Sequence, residues 1–224
     1  MSNPNLFAGK TCIVFDAYGT LFDVNAAVNR HAEAIGSEAE AFSALWRNKQ
    51  LEYSWVLGLI GRYTSFWSLT EQALDFALAK YPSIDCALRA PLLDAYRDLD
   101  AYAEVPQVLA RLREAGLRTA IFSNGNQTML DRAVASAGLG ERLDAVLSVD
   151  DVQTYKTSPR SYQFVLDRLG VASAEVVFCS SNRWDIAGAS AFGFTPVWVN
   201  RTGLPDEYPD LPPATVVKDL GGLL

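Results

Sequence analysis

The apolar positions of this chain follow two regimes. From Val105 onward, short apolar runs alternate with stretches of helical period. Pro106 fits the first turn of a helix that Gly116 ends. Leu117 to Phe122 then reads as a strand, Thr128 to Ala137 as a helix stopped by Gly138, and Ala145 to Val149 as a strand. Arg160 to Leu169 is a helix closed by Gly170, Val176 to Cys179 a strand, Asp185 to Phe192 a helix and Pro196 to Val199 a strand. One further strand, Thr11 to Phe15, stands near the N-terminus and ends at Asp16. These strands are continuous apolar runs, as expected when both faces are covered. Strands that alternate with helices imply parallel crossovers.

Between about Asn25 and Asp100 the period is helical throughout. Phe42, Leu45, Trp46, Tyr53, Val56, Leu57 and Ile60 recur at helical spacing, Leu69 to Lys80 forms a helix stopped before Pro82, and Leu88 to Leu99 forms another. The pattern predicts an α/β fold: a Rossmann-like parallel-sheet core with an inserted all-helical cap. The core comprises residues 1–20 and 101–224, and the cap residues 21–100. The Pro- and acid-rich stretch Gly203 to Pro213 reads as a loop.

Composition narrows the function. The chain has 224 residues, 50% hydrophobic and 20% charged, an ordinary soluble globular balance. Its net charge of -7 argues against nucleic acid and anionic membranes as partners. No run reaches the ~18 apolar residues of a spanning helix, and MSNPNLFAGK is not a signal peptide. Cys12, Cys86 and Cys179 are odd in number, far apart and without metal-ligand spacing, which points to a reducing, cytoplasmic setting. The single histidine, His31, reads as a helix-surface residue. With no G-x-S-x-G elbow beside it, a Ser-His-Asp hydrolase is excluded, and so is a His-rich metal site. Gly9-Lys10-Thr11 lacks the first glycine of a phosphate loop, and Gly138-Leu139-Gly140 lacks the third glycine of a dinucleotide loop.

In open α/β sheets ligands bind beyond the carboxyl ends of the strands. Four such ends carry polar residues here: Asp16-Ala17-Tyr18-Gly19-Thr20, Ser123-Asn124-Gly125-Asn126, a loop with Lys156, and Ser180-Ser181-Asn182-Arg183-Trp184-Asp185. Their convergence marks a site. Ser123 and Asn124 are expected at the start of a helix, where free amides favour an anion.

FDAYGTLFD, then SNG, then a lysine, then SSN-x-x-D resembles the haloacid-dehalogenase superfamily over the whole chain. That superfamily consists mostly of phosphatases, which carry a second aspartate two residues after the nucleophile. Here Tyr18 stands there, and a phenol of pKa ~10 is a poor acid/base at neutral pH. Leu45 to Tyr53 (LWRNKQLEY) and SSN followed by an aromatic and Asp are similar to the L-2-haloacid dehalogenase branch. The resemblance implies hydrolytic dehalogenation of short 2-haloacids to inverted 2-hydroxy acids through an aspartyl ester and leaves open whether fluoroacetate is a substrate; a magnesium-dependent phosphatase is the alternative. It implies Asp16 as nucleophile, Lys156 as its partner, and Asp185 as base. Ser180 and Asn182 would hold the ester and its water, with Thr20 and Tyr162 in support. Substrate would meet Ala17, Tyr18, Ser123 and Asn124, the halide Arg47 and Asn124, and Tyr18, Leu51, Phe66 and Trp184 would wall the pocket. No metal or cofactor is implied. The partners are then the anionic substrate and the halide. Six large aromatic residues of the cap (Trp46, Tyr53, Trp55, Tyr63, Phe66, Trp67) suggest a homodimer.

Overall fold

A computed structural model describes residues 6–224. Six strands form one sheet: β1 (Cys12–Phe15), β2 (Arg118–Ser123), β3 (Ala145–Ser148), β4 (Val176–Ser180), β5 (Thr195–Val199) and β6 (Thr215–Val217). Their order is β3-β2-β1-β4-β5-β6, and every neighbouring pair is parallel. β1 and β4 are wholly buried, as their unbroken apolar runs require. β6 lies outside the five strands expected. It is a three-residue edge strand, too short to show a period. Hydrogen bonds from Ala214 N to Pro196 O and from Asn200 N to Val217 O, each 2.8 Å, tie it down.

Nine α-helices are described: α1 (Ala26–Asn29), α2 (Ala32–Ile35), α3 (Ala39–Leu59), α4 (Phe66–Lys80), α5 (Arg89–Arg97), α6 (Val105–Glu114), α7 (Gln127–Ser136), α8 (Pro159–Leu169) and α9 (Arg183–Phe192). The helices α6 to α9 each precede or follow a strand of the sheet, and α1 to α5 form the insertion after β1. The stops at Gly116, Gly138 and Gly170 hold, with φ of +81°, +63° and +64°, the left-handed turn that glycine takes without strain.

The start of the insertion is less regular than its period suggests. α1 and α2 are four residues each, with His31 at φ −116° between them and Gly36 at φ +78° after. α4 begins at Phe66, three residues before the expected start, because the Ser65 side chain caps it by accepting from Ser68 N at 3.2 Å. The cap aromatics mostly turn inward. Trp46 and Phe66 are buried, Tyr53, Tyr63 and Trp67 half-buried, and Trp55 alone of the six is exposed. The chain leaves and rejoins the core at one place: Asp23 N donates to Asp100 O at 2.9 Å, Tyr102 N to Leu21 O at 3.0 Å, and Phe22 bridges to Ala101.

The sheet order places the site. β1 has β2 on one side and β4 on the other, so the crossovers diverge at its carboxyl end and leave a crevice there. Phe15 pairs with Ile121 and with Cys179, and Asp16 N donates to Cys179 O at 2.9 Å. One step further along the register, Asp16 stands beside Ser180.

Candidate active site

Asp16 is 6% exposed and both its oxygens are held. Oδ2 accepts from Asn182 Nδ2 at 2.8 Å, from Thr20 Oγ1 at 3.1 Å and from Ser180 Oγ at 3.4 Å. Oδ1 accepts from Lys156 Nζ at 3.0 Å. The donors are themselves fixed: Thr20 Oγ1 accepts from Ser181 N at 2.8 Å and Ser180 Oγ from Asn182 N at 3.1 Å. Asp16 therefore has one oxygen with three donors and one with a single donor.

Lys156 is 1% exposed and bridges two carboxylates. Its Nζ is 3.0 Å from Asp16 Oδ1 and 2.8 Å from Asp185 Oδ2, and it lies over the rings of Phe122 and Phe178 at 4.7 and 5.1 Å. Burying a charge this deeply is tolerable only with such pairing. The Lys156–Thr157 peptide is cis. The other Asp185 oxygen accepts from the buried Tyr162 hydroxyl at 2.7 Å. Burial raises the Asp185 carboxyl to about 6; the Lys156 charge opposes this and the Asp16 charge adds to it. Burial also raises the Tyr162 phenol, aided by the Asp185 charge, so it remains a donor.

Ser123 and Asn124 do not start a helix. Ser123 is the last residue of β2 and α7 begins at Gln127, with Asn126 at its N-cap. The Ser123 hydroxyl accepts from Gly125 N at 3.1 Å and so closes a turn ahead of the helix. Asn124 Oδ1 accepts from Lys156 N at 2.9 Å, which ties this turn to the lysine loop and leaves the Nδ2 group to the cavity. Gly125 is obligatory, since a Cβ there would lie 2.8 Å from the Tyr18 ring. Among the described residues, the amides of Ala17 and Tyr18 donate to no protein acceptor, so they stand available to an anion.

The insertion supplies the opposite wall. α3 carries Arg47 and Leu51, and the first residue of α4 is Phe66. Among the described residues the Arg47 guanidinium makes only long hydrogen bonds, 3.4 Å to Tyr18 O and 3.4 Å to Gln50 Oε1. Gln50 was not legible as a site residue, although it is a polar residue on the apolar Trp46–Tyr53 stripe. It is fully buried; its Nε2 donates to Thr70 Oγ1 at 3.0 Å and its Oε1 accepts from Tyr96 at 3.4 Å. Tyr96 also stacks on Tyr18, centroids 5.7 Å apart, and leans on Trp46 at 5.2 Å. This network, drawn from three separate helices, sets the position of Arg47, and no local spacing announces it.

Asp16, Tyr18, Arg47, Leu51, Phe66, Ser123, Asn124, Lys156 and Trp184 enclose a cavity of about 10 Å³. That is room for about one water, so the insertion packs closely over Asp16 at this point. All nine wall residues are among those expected from the sequence. Thr20, Tyr162, Ser180, Asn182 and Asp185 are absent from that wall and form a layer behind Asp16 and Lys156. Ala17 is absent from the wall as well, and only its backbone amide is left for the site. Among the described residues no three His, Cys, Asp or Glu side chains gather as a metal group. The Tyr18 phenol is raised well above its usual value by burial, which makes it a still weaker acid.

Residues 10–193 match the haloacid dehalogenase-like hydrolase family. The chain is 51% identical to (S)-2-haloacid dehalogenase 1 of Pseudomonas sp. (strain CBS-3), over 94% of this chain and 93% of that one. It is 49% identical to (S)-2-haloacid dehalogenase 4A of Burkholderia cepacia, over 94% and 91%. Among solved structures, the L-2-haloacid dehalogenase of Xanthobacter autotrophicus with chloropropionic acid covalently bound superposes with a TM-score of 0.85 at 39% identity, covering 96% of each chain. A single chain-long resemblance thus joins the parallel sheet, the helical insertion and the aspartate at the end of β1, and this chain belongs to the haloacid dehalogenase-like hydrolase family.

Proposed function

We propose that this chain hydrolyses short (S)-2-haloalkanoic acids to 2-hydroxy acids of inverted configuration through an ester on Asp16. The observation that carries this is the unequal dress of the Asp16 oxygens beside a cavity with an arginine on its far wall. In support, the relatives named above are (S)-2-haloacid dehalogenases, and one solved relative holds chloropropionic acid covalently. Residues 21–100 act as the cap, closing on a core formed by the rest of the chain; the paired segments at 21–23 and 100–102 are its hinge. A homodimer through the exposed Val56, Leu59 and Ile60 at the end of α3 belongs to the same proposal.

Substrate carboxylate meets the Ala17 and Tyr18 amides and the Ser123 hydroxyl. Asp16 Oδ1, with a single donor, keeps a lone pair for attack on C2 opposite the halogen. Lys156 fixes its direction, and the closed cavity strips its water. The C2–halogen bond breaks as the ester forms, and the halide leaves toward Arg47 and Asn124 Nδ2. Water then adds to the Asp16 carboxyl carbon. The charge that develops falls on Oδ2, where Thr20, Ser180 and Asn182 already point. Ester formation removes the Asp16 charge and leaves Lys156 paired with Asp185 alone, so the water is admitted between Asp16 and Asp185, which takes one of its protons. The bond from the Asp16 carboxyl carbon to Oδ1 then breaks, Oδ1 leaves as the hydroxyl oxygen of the product with the proton returned by Asp185, and Asp16 keeps the oxygen of the water and releases the second proton as its carboxylate reforms.

Two predictions follow from this scheme. First, ester hydrolysis should lose rate as pH falls, with a midpoint at or somewhat below 6. Asp185 must be ionised to act as base, burial raises its carboxyl to about 6, and the ester removes the Asp16 charge that adds to the rise. Single-turnover rates against pH measure this, and a flat profile would remove Asp185 from the base role. Second, the L enantiomer of 2-chloropropionate should release chloride at full rate with a chelator present. The D enantiomer should release at most a few per cent of that amount. Fluoroacetate, the smallest member of the class, should release fluoride. A strict magnesium requirement with rapid aryl phosphate hydrolysis would establish the phosphatase instead, against the Tyr18 substitution.

A further inference from the structure

The small inner cavity has a much larger neighbour. A cleft of about 920 Å³ opens between the second half of α3 and the core, with Trp55, Leu59, Tyr155, Phe192 and Tyr208 on its walls. Lys156 and Trp184 line both spaces. Lys156 is immobilised by its two ion pairs, so the Trp184 indole is the part of the partition that can move. Trp184 stands in the first turn of α9, half-buried, and no hydrogen bond of its indole is found among the described residues. Trp55 packs against it across the boundary between insertion and core, in an edge-to-face contact with centroids 5.5 Å apart at 82°.

The geometry at C2 points the substrate's side chain at this partition. Asp16 takes one direction and the leaving halide the opposite one, at Arg47 and Asn124. The carboxylate lies toward Ser123 and the Ala17 and Tyr18 amides. The walls left for the alkyl group are Leu51, Phe66 and Trp184. A methyl group fits against them. A longer chain meets the Trp184 indole, and directly behind that ring is an apolar cleft of the size of ligand pockets in general.

We propose, resting on the function given above, that Trp55 is a specificity-determining residue: it pins Trp184 as the partition that restricts the enzyme to short acids, and the cleft behind Trp184 receives the alkyl tail of a longer 2-haloacid once the indole is released. Trp55 touches neither the inner cavity nor the reacting atoms, and it is 40% exposed, so it can be truncated without opening the core.

The test is kcat/KM for L-2-bromopropionate and L-2-bromooctanoate, which share a leaving group, in the parent, Trp55→Ala, Trp55→Leu and Trp55→Phe, with thermal melting of each. The ratio of bromooctanoate to bromopropionate should rise about tenfold or more in the Ala and Leu variants. Turnover of bromopropionate should stay within about twofold, since the catalytic groups are untouched. Trp55→Phe keeps a ring against Trp184 and should keep the parent ratio. An unchanged ratio in a folded Ala or Leu variant overturns the proposal, as does an equal loss on both substrates, which marks Trp55 as merely structural. If the parent releases bromide from neither acid, the functional assignment fails and this proposal with it. If it turns over bromopropionate and the ratio does not move, only the role of Trp55 is lost.

Discussion

Asp16→Asn is expected to lower turnover of L-2-chloropropionate by a factor of about 10⁴ or more. The amide oxygen is not a nucleophile that can form the ester, and among the described residues no second carboxylate lines the cavity. The fold should survive. The substitution is isosteric, Asn182, Thr20 and Ser180 can still donate to the side-chain oxygen, and Lys156 retains Asp185 at 2.8 Å. Near-ultraviolet circular dichroism of the variant beside a halide-release assay checks both halves. A variant that keeps more than a few per cent of the rate would place the nucleophile elsewhere.

The second large effect concerns stability as well as rate. Lys156→Met leaves Asp16 and Asp185 buried without the cation between them. Removing one partner of a buried ion pair costs about 3–5 kcal/mol, and here two carboxylates lose the same partner. One of them must take a proton for the fold to persist. A carboxyl that is more readily protonated in the folded than in the unfolded state stabilises the fold at low pH, and that contribution is lost as pH rises through its folded value. The melting temperature of the variant should therefore fall furthest below the parent near pH 8 and recover toward it near pH 5. A deficit that does not vary with pH would mean that Lys156 contributes by packing its stem, not by compensating charge. Turnover should vanish at every pH, because the group that aims Asp16 is gone.

The sheet was legible because its strands are buried on both faces and therefore read as unbroken apolar runs. β6, an edge strand of three residues at the end of a loop, has no such run and could not be read. The convergence of Asp16, Ser123, Lys156 and Ser180 was legible for a topological reason: parallel strands present all their carboxyl ends at one edge. The resemblance then assigned the cap's contribution, Arg47, Leu51 and Phe66, which no core spacing supplies. Local pattern failed where a side chain chose between neighbours. Ser123 and Asn124 were expected to begin a helix, but the Ser123 hydroxyl closes a turn onto Gly125 and the helix starts at Gln127. Depth was not legible either. Asp185 is in the right motif, yet only the structure places it behind Lys156 and out of the cavity wall. Gln50 and Tyr96 belong to different helices, so their joint hold on Arg47 exists only after folding.

The covalent ester on Asp16 is tested most directly by a single turnover in oxygen-18 water, with enzyme in excess over L-2-chloropropionate. The 2-hydroxypropionate should be unlabelled, since its new oxygen comes from Asp16 Oδ1, and the peptide containing Asp16 should carry the heavy atom delivered by water to its carboxyl carbon. Label in the product of that first turnover, with none in the peptide, would mean that water attacks C2 directly and that Asp16 is not the nucleophile.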